Sequence, residues 1–179
     1  AVGGASDAAA HALETCECFD PQTNTWAAMA RMPTRRSFFG VGVVGGKLYA
    51  VGGSGAAGQA CECFDPQTNT WEKMAPMPTK RSALGVGVVG GKVYVVGGRN
   101  YTYDEDEEYE EYEDKLLQTC ECFDPQTNTW AAMAPMLTKR ALMGVGVVGG
   151  KLYAVGGCGL HAQTSQSCEC FDPQTNTWA

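Results

Sequence analysis

The sequence predicts an all-β fold assembled from repeated four-stranded antiparallel units, and three observations predict it. The string CECFDPQTNTW occurs four times, ending at Trp26, Trp71, Trp130 and Trp178. A second string, GVGVVGGK, occurs three times, starting at Gly40, Gly85 and Gly144, and each copy runs on into Tyr-x-Val-Gly-Gly. The tryptophans recur at intervals of 45, 59 and 48 residues, a spacing that belongs to structural repeats stacked or arranged radially.

Each element of one repeat follows from its residues. The segment Gly40–Val44 alternates glycine with valine; it reads as a short strand whose glycines let a neighbouring backbone approach. Gly45-Gly46 is a hairpin turn. A second strand occupies Lys47–Val51 and stops at Gly52-Gly53. After a segment of variable length, a third strand covers 15–19 in the first copy and ends at Asp20-Pro21, because proline fixes φ and removes a donor. The fourth strand covers 24–29. Four short antiparallel strands per repeat make one blade of a β-propeller, with blade boundaries near 1–30, 31–75, 76–134 and 135–179. The strands amount to three full repeats plus partial blades at both ends, so the expectation is an incomplete ring that needs further blades or a second chain to close.

Composition sets the functional bounds. Of 179 residues, 44% are hydrophobic and 18% charged, the balance of a globular chain. The net charge of −7 is concentrated: nine of the twenty acidic residues lie in the stretch that starts at Asp104 and ends at Asp114. The rest is close to neutral and has no basic stripe for phosphates, which argues against nucleic acid as a partner. The apolar runs are far shorter than the ~20 residues of a membrane helix, and no leader peptide is visible, so no membrane partner is expected.

The recurring set of an arginine (Arg36), a glycine-rich strand, Tyr49, Gly52-Gly53, Phe64-Asp65-Pro66 and Trp71 resembles the Kelch family, with phenylalanine where that family usually has tyrosine before Asp-Pro. The resemblance covers the chain outside the variable segments. It implies a Kelch-type β-propeller, an interaction module and not an enzyme; the cytoplasmic, reducing setting expected for this chain follows from the unpaired thiols considered below. It also implies two alternatives for the partner: recognition of a substrate peptide for a cullin-linked ubiquitin ligase, or a cytoskeletal, actin-binding or structural scaffold role. The near-identity of the copies fits either recent duplication or a consensus array.

Topology separates two faces. Turns between strands one and two, and between three and four, lie on one side and are constant. The loops between strands two and three lie on the other side and carry the variation: 5–15, 54–60, 99–119 and 158–167. Loops held by a rigid scaffold are where binding residues concentrate. Arg36, Arg81 and Arg140 open strand one on that same side. The resemblance assigns them to an acidic partner peptide, with Arg99, Asn100 and Tyr101 as further contacts; the alternative is that each arginine packs within its own blade. Within the insertion at 99–119, the acidic run 103–114 is read as a solvated excursion, a dock at Asp104–Asp114 for a basic partner, or an internal stand-in ligand for the arginines. Its Tyr101, Tyr103, Tyr109 and Tyr112 are candidate phosphorylation sites.

The Cys-Glu-Cys triplets at 16–18, 61–63, 120–122 and 168–170 place two thiols on the same side of a strand, ~6.6 Å apart. That is too far for an easy disulfide and supplies two of the four ligands zinc wants. Core packing of reduced thiols is the expectation, with no metal and no cofactor. His11 and His161 stand alone in separate loops, which leaves an oxidase-type metal site without ligands.

Overall fold

The computed structural model describes residues 1–6, 11–102, 113–159 and 164–179. The acidic run from 103 to 112, with its tyrosines, and His161 lie outside the described residues.

Every major element is a strand. In chain order they are β1 (Ala5–Ser6), β2 (His11–Ala12), β3 (Cys16–Asp20), β4 (Thr25–Met29), β5 (Gly40–Val44), β6 (Lys47–Val51), β7 (Cys61–Asp65), β8 (Thr70–Lys73) and β9 (Gly85–Val89). There follow β10 (Lys92–Val96), β11 (Arg99–Thr102), β12 (Glu113–Leu116), β13 (Cys120–Asp124), β14 (Thr129–Met133), β15 (Gly144–Val148), β16 (Lys151–Val155), β17 (Cys168–Asp172) and β18 (Thr177–Trp178). Among the described residues one 3₁₀ turn, Gly55–Ala57, lies within the 54–60 loop.

Three four-stranded antiparallel sheets form, β5-β6-β7-β8, β9-β10-β13-β14 and β15-β16-β17-β18, and β3 pairs with β4 in a two-stranded sheet. No closed ring forms among the described residues. The register repeats from sheet to sheet: Tyr49 lies opposite Cys63, Tyr94 opposite Cys122, and Tyr153 opposite Cys170. The fourth strands begin one residue later than the sequence suggests, because Asn24, Asn69, Asn128 and Asn176 close the turn at φ 52–54°, a left-handed conformation asparagine tolerates well. In that turn Asp65 Oδ1 accepts the Gln67 N–H at 2.9 Å, and Asp20, Asp124 and Asp172 do the same for their turns.

The Gly-Val-Gly-Val pattern has a packing cause. A Cβ on Gly40 would sit 2.1 Å from Val86 Cγ2, and one on Gly85 would sit 2.3 Å from Val145 Cγ2. Glycines thus mark one face of the innermost strand and valines the other, and each valine of the next sheet fills the space that the missing side chain leaves. The tryptophans fasten the outer rim. Trp71 Nε1 donates to the Ala30 carbonyl, Trp130 Nε1 to Ala75 and Trp178 Nε1 to Ala134, at 2.8–2.9 Å. Asn69, Asn128 and Asn176 accept the N–H of the same three alanines. One turn sequence therefore ends its own hairpin and clips the preceding sheet.

The core lies between the sheets. Tyr49, Val51, Cys61, Cys63, Val93, Val95 and Phe123 form one cluster, and Tyr94, Val96, Cys120, Cys122, Leu152, Ala154 and Phe171 form its repeat. All nine cysteines are free thiols. Burial pushes Cys61 and Cys120 up to about 12, so both stay protonated at neutral pH. No group of three or more His, Cys, Asp or Glu among the described residues is placed to hold a metal ion.

Candidate functional site: the loop-bearing mouth

The arginines ahead of each innermost strand do not project as free forks. Arg36, Arg81 and Arg140 are 0–1% exposed. Each guanidinium pairs with the middle residue of a Cys-Glu-Cys triplet: Arg36 with Glu62 at 2.9 Å, Arg81 with Glu121 at 3.2 Å, and Arg140 with Glu169. Alternation along the strand explains the triplet. In the triplets at 61–63 and 120–122 the two cysteines face the next sheet, and the glutamate points the other way, toward the arginine.

The remaining guanidinium hydrogens hold the stems of the variable loops. Arg36 Nη1 donates to the carbonyls of Gly52 and Ala60, which flank one loop. Arg81 Nη1 does the same for Gly97 and Thr119, and Arg140 Nη1 for Gly156 and Ser167, all at 2.8–3.1 Å. This is the arrangement of the alternative reading, in which each arginine packs within its own blade. Binding a partner's carboxylate would strip a buried glutamate of its counter-charge. The reading of 104–114 as a stand-in ligand for these arginines falls on a segment of which 104–112 lie outside the described residues.

What reaches the surface is the residue two positions further on. Phe38, Ala83 and Leu142 occupy equivalent places and adopt φ 53°, 51° and 54°, a left-handed conformation that side chains rarely take. The cause is a backbone belt around the axis. Ala83 N–H donates to the Phe38 carbonyl at 2.7 Å, and Leu142 N–H donates to the Ala83 carbonyl at 2.9 Å. To serve the sheet on either side, the peptide turns out of the strand conformation. The turn presents the side chain on the loop-bearing face, where Phe38 is 58% and Leu142 57% exposed.

These residues line a pocket of about 850 Å³. Its walls come from Phe38, Ala83 and Leu142, from the 53–58 loop, from Lys80 and Ser82, and from Arg99 and Asn100 of β11. Arg99 is anchored by a backbone bridge to Ser82, and its Nη2 approaches Cys158 Sγ at 3.1 Å. Asn100 Oδ1 is buried without a hydrogen-bond partner among the described residues. Tyr101 follows in β11, opposite Asp114. The structure thus brings together three of the six residues singled out in the sequence as partner contacts, Arg81, Arg99 and Asn100, with the belt residues. Arg81 borders the pocket from its buried position.

A signal for the belt residues was present in the sequence. Within the near-identical runs RSFFG, RSALG and RALMG, the position after Arg-Ser or Arg-Ala swings from Phe to Ala to Leu. A core position in a repeat keeps its volume; one that varies so widely faces something other than its own scaffold.

Radially arranged antiparallel four-stranded sheets, clipped by tryptophan and carrying variable loops on one face, define a β-propeller. The Kelch motif matches residues 35–78, 80–137 and 139–179, and the chain belongs to the Kelch-repeat family. It is 36% identical over 154 residues to the Kelch-like ECH-associated protein 1A of Danio rerio, an alignment covering 86% of this chain and 16% of that protein. It is also 36% identical over 157 residues to the Kelch-like protein 28 of Homo sapiens, covering 88% of this chain and 19% of that protein. The chain therefore spans less than a fifth of the length of these curated relatives. The solved structure of YjhT has the same fold: TM-score 0.79 at 16% identity, over 93% of this chain and 51% of that one.

Proposed function

We propose that this chain is a protein-interaction propeller that docks a segment of a partner protein on its loop-bearing mouth, without catalysis. The observation that carries this reading is the strained belt of Phe38, Ala83 and Leu142: apolar side chains held in the left-handed region and presented outward. Strain of that kind persists only where the surroundings over-determine it, and it collects at binding sites. Family membership supports an adaptor role of the Kelch-like kind, in which the bound protein would be the substrate of a cullin-linked ubiquitin ligase. Free thiols throughout the core suit a reducing compartment, and among the described residues no helix is long and apolar enough to cross a membrane.

The test is a selection of binding peptides from a random library on the intact chain, followed by hydrogen exchange with the selected peptide bound. Protection is expected at 37–39, 53–58, 80–84 and 141–143. Protection confined to the opposite face, at Gly45-Gly46 and the Asp-Pro turns, would overturn the assignment of the mouth.

A further inference from the structure

We infer that two copies of this chain close one ring by exchanging outer hairpins: β15-β16 of each copy takes up β3-β4 of the other in place of its own β17-β18.

The hairpins are unequal in number. The sequence holds three inner hairpins, built on GVGVVGGK, and four outer hairpins, built on CECFDPQTNTW. Each inner hairpin pairs with the outer hairpin that follows it, which leaves β3-β4 as a two-stranded sheet. Residues 16–26 and 168–178 are identical. The β3-β4 hairpin of a second copy can therefore lie beside β16 with no change of register or side chain. Cys16 and Cys18 then stand opposite Val155 and Tyr153, where Cys168 and Cys170 stand in the single chain.

Surfaces that are covered elsewhere in the molecule are open at the two places this exchange joins. On the last sheet, a Cβ on Gly146 would meet nothing within 4 Å, whereas on Gly42 it would stand 2.9 Å from Val88 Cγ2. Val155 is 52% exposed, although its equivalents Val51 and Val96 are fully buried. On β5, Val41 and Val43 are exposed, while the equivalent Val86 and Val145 fill the space over Gly40 and Gly85. Trp26 is 58% exposed. Its Nε1 and Asn24 Oδ1 have no hydrogen-bond partner among the described residues, although the other three tryptophans and their asparagines each clip an alanine.

The exchange fills these openings together. With β3-β4 of the second copy beside β16, the link that follows carries β5 of that copy onto β15, Val41 over Gly144 and Val43 over Gly146. Trp26 and Asn24 reach Ala134, the clip that Trp178 and Asn176 make in the single chain. Glu17 takes the place of Glu169 beside Arg140. The backbone belt closes too, because Phe38 N–H and the Leu142 carbonyl are its two open ends among the described residues. What gives way is short: the Val2–Cys16 bridge and the Ala1–Glu17 backbone bonds at the edge of β3.

Counting favours two copies. Each supplies three inner hairpins, so the ring has six sheets, within the four to eight of propellers. The same exchange inside one chain would close only three. The chain matches 51% of YjhT, so two copies supply about the length of one such propeller. Swapping an identical element trades like contacts for like, and burial of the open faces is the gain.

Sedimentation equilibrium of the full chain over a range of concentrations tests this. A closed particle of twice the 19.0 kDa chain mass is expected. The tryptophans of the two identical hairpins should respond in opposite senses. Trp26→Ala removes a side chain that is exposed in the single chain and clipped in the dimer, so the association midpoint should move to at least tenfold higher concentration. Trp178→Ala weakens the hairpin that has to leave, so the midpoint should move severalfold lower. Val43→Asp and Gly146→Ala both spoil the seating of β5 on β15 and should weaken association tenfold or more. Below the midpoint, neither should change the melting of the single chain. A monomer at every concentration overturns the inference, as do masses that grow beyond two copies, the result of head-to-tail stacking without closure. A dimer that Trp26→Ala does not weaken, or that Trp178→Ala does not strengthen, overturns the exchange. A dimer indifferent to Val43→Asp overturns the seating of β5 on β15.

Discussion

At the scale of single residues, the arginine and glutamate of each repeat are committed to structure. Arg81 is buried, pairs with Glu121, and also holds the Gly97 and Thr119 carbonyls. Thr79 Oγ1 donates to the same glutamate. Removing one member leaves the other charged, buried and unpaired, which costs about 3–5 kcal/mol, whereas replacing both by apolar residues of similar volume is far milder. Arg81→Met should therefore lower stability by that amount in urea unfolding, and adding Glu121→Leu to it should recover part of the loss. Additive losses in the double variant would argue that the loop-stem hydrogen bonds, and not the ion pair, carry the effect.

At the scale of elements, the glycine-rich strand is not interchangeable between sheets, although its sequence is. Gly85 in β9 has Val145 Cγ2 2.3 Å from where a Cβ would stand, whereas Gly146 in β15 has nothing within 4 Å. Gly85→Ala should destabilise by about 1–3 kcal/mol through overpacking. Gly146→Ala should be near neutral, because alanine restricts the unfolded chain and meets no neighbour. Paired thermal melts of the two variants would check this; equal losses would place the cost in the strand backbone and not in the contact between sheets. The insertion behaves as an element too. β11 and β12 pair antiparallel, with Thr102 opposite Glu113. An Asn-Gly pair joining Thr102 directly to Glu113 suits the type I′ turn that two-residue hairpins favour. Replacing 103–112 in this way should leave the unfolding midpoint unchanged, since Arg81 clamps the stem on either side of the insertion. A fall in the midpoint would show that 103–112 contributes packing of its own.

At the scale of the whole molecule, cohesion between sheets runs through layers of thiol and tyrosine. Burial raises Cys61 and Cys120 from 9.0 to about 12 and raises Tyr49 and Tyr94 as well. A group whose folded pKa lies above its unfolded value contributes stability that is complete below the unfolded pKa and lost as pH climbs through the folded one. Stability should accordingly hold up to about pH 9 and decline between there and pH 12. Urea midpoints at pH 8, 9.5 and 11 should trace the fall, and Cys61→Ala with Cys120→Ala should flatten it. An unchanged slope in that variant would assign the alkaline loss to the tyrosines and to the exposed lysines that pair with Asp65 and Asp124.

The repeat, the strand order and the division into a constant and a variable face were legible in the sequence, because they depend on local pattern. Alternating Gly-Val needs only a period of two, and Asp-Pro or Gly-Gly closes a turn wherever it stands. The destination of each arginine was decided only by tertiary structure. Its motif position puts Arg36 at the loop-bearing end, but whether the guanidinium faces a partner or the interior depends on Glu62, twenty-six residues away in sequence and one strand alternation from the cysteines. The outward turn of Phe38, Ala83 and Leu142 is likewise non-local, since it answers hydrogen bonds from one sheet to the next. Sequence pattern by itself determined which strands this protein forms and in what order. The chemistry of the mouth was settled by the packing of sheet against sheet, because burial of a charge and strain in a backbone are properties of neighbours that the chain brings together only on folding.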